Sequence, residues 1–329
     1  MTAAAPLSLH GRRVVVLGAT GFIGRWVARA LSDAGAHLWL GARDRAAAER
    51  LRADYAIAGT IAELDVTRRA DVQALVREAQ PELTFNLAGY GVDRRETDAQ
   101  LATAINLDLV RHLVELLPAP ADTTWSGLSL LHAGSALEYG TSGGDLAEDG
   151  PVTPTTVYGQ TKLAATRAID AAVASGRLRA VTARLFTVYG PGEHDGRLLP
   201  SILTARDTTA PIPMTNGYQR RDFTYVGDVA EGFLRCATSG LPAWPTVNLA
   251  TGRLHTVREF VALAESALGM PPGRFQFGAL PTRTDDMAHD AVAVHRARQW
   301  LGWVPRTGVA DGVRATDAFL RTLPPVPAP

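Results

Sequence analysis

A tyrosine and the only lysine of the 329-residue chain stand four residues apart, at Tyr158 and Lys162. Residues at i and i+4 share one helix face, so a helix predicted over 157–175 would bring the phenol and the ammonium together. A phenol ordinarily titrates near pH ~10, and a neighbouring cation favours its ionised form. The other 32 basic residues are arginines, whose planar fork differs from a compact ammonium. The pair therefore predicts proton transfer by Tyr158, assisted by Lys162.

A serine earlier in the chain completes this candidate catalytic group. Ser135 follows a strand predicted over 128–132, and its hydroxyl could donate to a substrate carbonyl oxygen and orient the phenol. A lone serine after a strand is usually a turn residue, so this prediction depends on the tyrosine and lysine that follow. Lys162 could also hold the ribose hydroxyls of a nicotinamide nucleotide.

A glycine-rich segment lies between a strand predicted over 13–17 and a helix predicted over 22–34. Glycines at such a junction permit a tight turn, close approach of the backbone to a pyrophosphate and close packing of helix on strand. The helix N-terminus adds a site that favours an anion. This pattern predicts a dinucleotide-binding loop formed by Gly18, Thr20, Gly21, Phe22, Ile23 and Gly24.

The ends of the next two predicted strands bear on which nicotinamide nucleotide is bound. An acid there accepts from the adenosine ribose, whereas an arginine accommodates a 2′-phosphate. The strand over 37–41 is followed by Arg43, which favours NADP(H) and leaves NAD(H) possible if Asp44 reaches back to the ribose instead. Asp65 could accept from the adenine amino group, or could be a turn or capping acid before a helix over 70–79.

These residues require a scaffold in which strands and helices alternate. The apolar pattern predicts an α/β fold, a Rossmann-type doubly wound parallel sheet with a smaller C-terminal α/β substrate lobe. Residues 1–190 are expected to form the NAD(P)-binding domain and residues 191–329 mainly the lobe, with a segment near 246–250 returning to the sheet. Further strands are predicted at 61–64, 83–88 and 180–186, and a further helix at 106–117.

The composition limits the classes of partner. Lys+Arg and Asp+Glu are both 33, so no global field favours nucleic acid or an anionic membrane. No apolar run reaches the ~18 residues of a membrane span, and the lone Cys236 fits a reducing cytoplasm. No metal centre is expected, because the consecutive residues Glu193, His194 and Asp195 do not converge on one ion and are interpreted as a solvated loop.

The motifs together resemble those of the extended short-chain dehydrogenase/reductase family, in its NAD(P)-dependent nucleotide-sugar epimerase, dehydratase and ketoreductase branch. The resemblance covers about residues 12–320. It rests on the loop 18–24, Asn86–Gly89, Ser135 four residues before Tyr139, Tyr158-x-x-x-Lys162, and the segments 184–192, 221–226 and 301–305.

The resemblance implies roles for individual residues. Ser135, Tyr158 and Lys162 would form the catalytic triad, and cofactor contacts would include Val66, Leu87, Ala88, Tyr158 and Lys162. Substrate contacts would come from Ser135, Glu138 and Thr187, with Arg221 and Arg283 on the substrate diphosphate, whose oxygens suit arginine forks. A homodimer is also implied.

The sequence departs from the family pattern at two places, one that bears on the reaction and one that bears on substrate binding. Ala136 and Leu137 stand where sugar 4,6-dehydratases have an Asp-Glu pair, so dehydration is disfavoured. Thr187 replaces an asparagine found in many members, which puts its contact with the substrate phosphate in question.

The sequence favours an NADPH-dependent ketoreductase of a nucleotide-linked keto-deoxysugar, of the 4-ketoreductase type, because a dissociable NADPH suits net reduction. The alternatives are a nucleotide-sugar 4-epimerase that retains NAD, a ketoreductase of a small natural product, and a cofactor-sensing protein without catalysis. The small-molecule substrate is expected to be a nucleotide sugar.

Overall fold

The computed structural model describes residues 7–93, 95–141, 144–206, 210–240, 245–281 and 289–324. Its centre is a sheet of seven parallel strands: β1 (Arg13–Leu17), β2 (His37–Ala42), β3 (Thr60–Glu63), β4 (Leu83–Asn86), β5 (Leu130–Ser135), β7 (Ala180–Leu185) and β11 (Thr246–Leu249). Their order in the sheet is β11-β7-β5-β4-β1-β2-β3. The strand order reverses between β1 and β4, and ligands of such sheets bind at the carboxyl ends of the strands beside that point.

Helices cover both faces of the sheet, which confirms the predicted fold class. Alternate residues of β1 enter different cores: Val14 and Val16 pack with one cluster, and Val15 and Leu17 with the other. The helices are α1 (Phe22–Asp33), α2 (Arg45–Asp54), α3 (Arg69–Ala79), α4 (Ala99–Thr103), α5 (Leu109–Leu116), α6 (Val157–Ala174), α7 (Leu198–Arg206), α8 (Val226–Thr238), α9 (Val257–Leu268) and α10 (Val309–Leu320).

Several element boundaries differ from the predicted ones. Helix α2 was not predicted, because it buries little apolar surface beyond Ala48; its N-cap Asp44 accepts a hydrogen bond from the Ala47 amide at 3.0 Å. Strand β5 continues to Ser135 rather than ending near residue 132. The helix predicted at 106–117 begins earlier, at α4, and passes through a π-helical turn (Ala104–Asp108) before α5.

The smaller lobe is built from residues beyond 190 together with the strand over Thr187–Tyr189, and its core contains Phe223 and Phe260. Strands β8 (Thr187–Tyr189), β10 (Arg220–Tyr225) and β12 (Leu254–Thr256) form one sheet, and β9 (Ile212–Met214) pairs with β13 (Phe275–Phe277). A third pair joins β6 (Asp145–Leu146) to β14 (Ala291–Val292). After the lobe strand β10, helix α8 and strand β11 return to the large sheet. Across the described ranges, no helix has the length and apolar character needed to cross a bilayer.

Candidate active site

The glycine loop joins β1 to α1 at the carboxyl edge of the sheet. Gly18 has φ +75°, and a Cβ added there would lie 2.7 Å from the backbone nitrogen of Ala88. A Cβ on Gly24 would meet the Gly18 carbonyl oxygen. Gly21 is the exposed N-cap of α1 and has no side chain to block the first amides of the helix. The loop therefore leaves an open helix N-terminus, the kind of site that binds a pyrophosphate.

Arg25, which was not predicted from the sequence as a site residue, stabilises the backbone of this loop through hydrogen bonds. The Arg25 guanidinium donates to the carbonyl oxygens of Thr20 at 2.8 Å and Gly21 at 3.1 Å, and it lies 5.2 Å from the centroid of the Tyr55 ring. Phe22 and Ile23 pack against the core under the loop. An arginine after a glycine motif has no distinctive sequence signal, since its partners are backbone carbonyls.

Gly18→Ala is expected to lower the free energy of unfolding by about 2 to 5 kcal/mol, because the new side chain would strain the left-handed backbone at residue 18 and displace the backbone that follows β4. Gly11 is the matched control: its φ is +71°, but a Cβ there has no neighbour within 4 Å, so Gly11→Ala should lose only about 1 to 2 kcal/mol. Urea unfolding measures both. Equal losses in the two variants would show that close packing at Gly18 contributes nothing.

The predicted adenosine side of the site lies at the ends of β2 and β3. Arg43 is exposed there, and Asp44 is engaged as the α2 N-cap. Asp65 accepts from the backbone and hydroxyl of Thr67 at 2.9 and 2.7 Å; the backbone bond is the main cause that lowers the pKa of Asp65, and the Arg43 charge adds to it. Asp65 is thus a turn acid beside Arg43, and Val66 packs next to it on the apolar core.

Helix α6 places the phenol and the ammonium as the spacing predicts. Thr156 caps the helix by accepting from the Gly159 amide, and Lys162 Nζ lies 5.8 Å from the centroid of the Tyr158 ring. Lys162 is only 2% exposed, and its ammonium donates to the carbonyl oxygens of Ala133 at 3.0 Å and Ala88 at 3.5 Å. The ammonium therefore sits at the carboxyl ends of β4 and β5, beside Leu87 and Ala88.

Burial changes the acid–base properties of both groups. It lowers the pKa of Lys162 to about 8, against an opposing effect of the Glu138 carboxylate. It raises the pKa of Tyr158 above its ordinary range, while the hydrogen bond with Ser135 acts in the other direction. At neutral pH the phenol therefore carries its proton and the ammonium carries its charge.

Ser135 ends β5 and begins a short 3-10 turn over Ala136–Glu138. Its Oγ accepts from the Leu137 amide at 3.1 Å. Because that amide occupies one lone pair, the hydroxyl proton is directed to another oxygen, such as the Tyr158 phenol or a substrate carbonyl. The turn thus makes Ser135 a hydrogen-bond donor toward the site.

Glu138, which was predicted to contact substrate, is buried inside the protein. Its residue exposure is 0%, and its carboxylate accepts from the Ser135 amide at 2.8 Å, the Thr166 hydroxyl at 3.0 Å and the Arg184 guanidinium at 2.9 Å. These three donors enclose the carboxylate, so the predicted contact with substrate is not supported. Sequence reasoning missed the cause because Arg184 lies 46 residues away in the chain.

The other residues predicted to contact substrate lie on two neighbouring strands of the lobe or outside the described residues. Thr187 lies in β8, paired with Phe223 of β10, and Arg221 lies in β10 opposite His255 of β12. The buried His289 packs edge-on against the Phe186 ring, with 5.6 Å between ring centroids; burial and then the Arg221 charge lower the pKa of His289 to about 4. Arg283 lies outside the described residues.

Two further polar residues near the site were missed or misread. Asn106, in the π-helical turn, bonds both backbone groups of Tyr90 at 3.0 and 2.8 Å and the Thr161 hydroxyl at 2.9 Å, so it joins the loop after β4 to α6. The Glu193 side chain is 6% exposed rather than solvated, and burial raises its pKa to about 7. The sequence signal that could have indicated a role for Asn106 is its place as a polar residue among the apolar residues of a predicted helix.

The geometry fits a nicotinamide dinucleotide. The loop from Gly18 to Gly24 presents an open helix N-terminus where larger residues at the two packed glycines would clash. The Lys162 ammonium faces the same edge, and a Cβ on Gly89 would lie 3.5 Å from its Nζ. The first group suits a pyrophosphate and the second suits ribose hydroxyls.

Comparisons with known proteins agree with this arrangement. Residues 14–250 match the model of the NAD dependent epimerase/dehydratase family. The chain is 32% identical to a dTDP-6-deoxy-L-talose 4-dehydrogenase (NAD(P)(+)) from Kitasatospora kifunensis, over 95% of this chain and 96% of that protein. It is 29% identical to a UDP-glucose 4-epimerase from Mycolicibacterium smegmatis, over 94% and 98%. The crystal structure of a putative epimerase from Burkholderia cenocepacia superimposes with a TM-score of 0.79 at 26% identity, over 94% and 99%.

Proposed function

The chain belongs to the NAD dependent epimerase/dehydratase family, and from this premise we propose that it is an NADPH-dependent ketoreductase of a nucleotide-linked keto-deoxysugar. The similarity along almost the whole chain to a nucleotide-sugar 4-dehydrogenase supports a reaction at the sugar C4. The observation that carries the preference for NADPH is the exposed Arg43 at the end of β2, next to an Asp44 that is engaged in capping α2.

The chain's own residues would complete the reduction of a ketone to an alcohol. NADPH, when bound, supplies a hydride to the carbonyl carbon. Tyr158 donates its proton to the carbonyl oxygen, and Ser135 donates a hydrogen bond to that oxygen as negative charge develops on it. Lys162 stabilises the phenolate that remains, since an opposite charge nearby favours the ionised phenol.

The substrate side of the proposal rests on Arg221 and Arg283. Arginine forks match diphosphate oxygens in charge and geometry, and a formal net charge of zero gives the chain no overall attraction for such an anion. Thr187, in the strand beside Arg221's strand, would lie near the sugar–phosphate linkage. We propose these three residues as the substrate contacts and exclude Glu138.

The nucleotide carried by the freshly purified protein, followed by the affinities of the emptied protein for NADPH and NADH, tests the cofactor assignment. An empty site that binds NADPH more tightly supports the reductase. Firmly retained NAD would contradict it and would favour the second candidate, a nucleotide-sugar 4-epimerase, which the similarity to a UDP-glucose 4-epimerase also supports.

Arg43→Ala is expected to weaken NADPH binding by about 10- to 100-fold, the worth of a charge-assisted phosphate contact, and to leave NADH binding nearly unchanged. Arg50→Ala is the control, because it removes the same charge from an exposed position farther along α2. Fluorescence titration of the wild type and both variants with each nucleotide gives the six dissociation constants. Equal weakening of NADPH and NADH in the Arg43 variant would refute the assignment of a 2′-phosphate contact.

A further inference from the structure

We propose that Glu138 is a positioning residue of this site, which fixes the Ser135 turn and supplies the buried negative charge that accompanies the Lys162 ammonium. The inference rests on the proposed function because it assumes that Ser135, Tyr158 and Lys162 carry the proton transfer. The residue does not act on substrate directly, since it is fully buried.

One oxygen of Glu138 controls the conformation of Ser135. Oε1 accepts from the Ser135 amide at 2.8 Å, while Ser135 Oγ accepts from Leu137 within the same turn. This reciprocal arrangement is a capping box, which satisfies amides that the start of a helical turn leaves without partners. The direction of the Ser135 hydroxyl therefore depends on the Glu138 carboxylate.

The other oxygen connects this turn to two more elements. Oε2 accepts from the Thr166 hydroxyl of α6, one turn beyond Lys162, and from Arg184 Nε of β7. Arg184 is itself buried, with 4% of its side chain exposed, and also donates to the Glu148 carbonyl oxygen at 3.3 Å. The carboxylate thus joins the Ser135 turn, the helix that carries Tyr158 and Lys162, and strand β7 of the large sheet.

The charge of Glu138 also acts on the catalytic lysine. The titratable groups around Lys162 in the described chain are Tyr158 on its own helix, His132 on β5 and Glu138 on the turn. Burial holds the pKa of His132 well below its usual value, so His132 is neutral, and the phenol is protonated. Glu138 is therefore the anion of this group, and although its carboxylate is also paired with the Arg184 cation of β7, it counters part of the cost of burying the ammonium.

The single lysine of the chain permits a direct test that needs no substrate. Protein labelled with ¹³C-lysine has one lysine ε-carbon signal, whose shift against pH gives the pKa of Lys162. We expect a value near 8 in the wild type and a value lower by about one pH unit or more in Glu138→Gln.

Glu148→Gln is the matched control. Glu148 is also a buried carboxylate, but its side chain contacts the Asn248 amide at 3.0 Å and Arg296 instead of Ser135 and α6. The Arg184 bond to Glu148 uses the backbone carbonyl, which the substitution keeps. The lysine titration of Glu148→Gln should coincide with the wild type. If Glu138→Gln does not fold, the double variant Glu138→Gln/Arg184→Met is used, because a neutral pair often replaces a buried ion pair without loss of folding. Its lysine pKa is then compared with that of Arg184→Met, so that the loss of the Arg184 cation is common to both, and the double variant should have the lower value.

Kinetic measurements on Glu138→Gln distinguish a failure of this inference from a failure of the proposed function. With a reducible ketone, Glu138→Gln should lower kcat at pH 7 by about 10-fold or more with KM changed less than about threefold, and the alkaline limb should move to lower pH. A wild type that reduces no ketone would overturn the proposed function and leave the lysine titration to decide the inference. An unchanged lysine pKa in Glu138→Gln, or an equal shift in Glu148→Gln, would overturn the inference.

Discussion

Replacing Tyr158 by phenylalanine is expected to lower kcat for ketone reduction by about 10²- to 10⁴-fold, the usual contribution of a positioned proton donor. Phenylalanine keeps the ring but removes the hydroxyl that would give its proton to the carbonyl oxygen. The proposed cofactor contacts are made mainly by the glycine loop and Lys162, so the dissociation constant for NADPH should change little. Single-turnover oxidation of NADPH, followed at 340 nm, measures the chemical step directly.

Tyr189→Phe is the control for this variant. Tyr189 is a buried tyrosine of the lobe core whose hydroxyl donates to the Gly308 carbonyl oxygen at 3.3 Å. Its loss should reduce stability slightly and leave turnover close to wild type. Turnover by Tyr158→Phe at the rate of Tyr189→Phe would show that the phenol is not the proton donor.

Lys162→Met is expected to lower kcat by about 10²-fold or more, because the phenolate left after proton transfer loses its cationic neighbour. Lys162→Arg keeps the charge, yet it should lose nearly as much. The ammonium is enclosed by the carbonyl oxygens of Ala133 and Ala88 and by Gly89, where a wide guanidinium cannot take the same position. Wild-type turnover in the arginine variant would contradict this account of the single lysine.

Lys162→Met, which is expected to lower kcat, is expected to raise stability. The pKa of Lys162 falls from 10.5 to about 8 on folding, so at pH 7 burial of the charged form costs the folded state about 3 kcal/mol. Methionine removes this cost and loses the hydrogen bond to Ala133, worth about 1 kcal/mol. Lys162→Met should therefore be more stable than the wild type at pH 7, by about 1 to 3 kcal/mol.

The pH dependence of this difference follows from the sign of the shift. Between pH 8 and 10.5 the lysine of the unfolded chain still carries its proton, whereas the lysine of the folded protein loses it. The free energy of unfolding of the wild type therefore increases with pH across this interval. The advantage of Lys162→Met should shrink across that interval. Urea unfolding of both proteins at pH 7, 9 and 10.5 measures it, and a constant difference would contradict the depressed pKa.

Local patterns were sufficient for the elements that position the cofactor loop and the catalytic pair. The run from Gly18 to Gly24 sits between a strand and a helix, and the four-residue spacing of Tyr158 and Lys162 is a helical contact in itself. The seven-stranded parallel sheet confirms the predicted Rossmann-type fold, and the match over residues 14–250 confirms the predicted family.

Contacts between distant segments could not be predicted in the same way. The family resemblance implies that Glu138 contacts substrate, whereas its carboxylate is buried against Arg184 of another strand. Arg25 acts through backbone carbonyls, which carry no sequence signal. Helix α2 is polar on most of its surface, so its apolar periodicity is weak, and Glu193 is enclosed by the fold despite its polar neighbours.

The central claim is a net reduction at a sugar carbonyl, and the most direct test follows the hydride. The protein is incubated with NADPH deuterated at the nicotinamide C4 and with a panel of nucleotide 4-keto-6-deoxysugars, and the products are analysed by mass and NMR. We predict that one NADPH is consumed for each ketone, with deuterium on the former carbonyl carbon. Interconversion of nucleotide-sugar epimers without consumption of NADPH and without deuterium in the product would contradict the account.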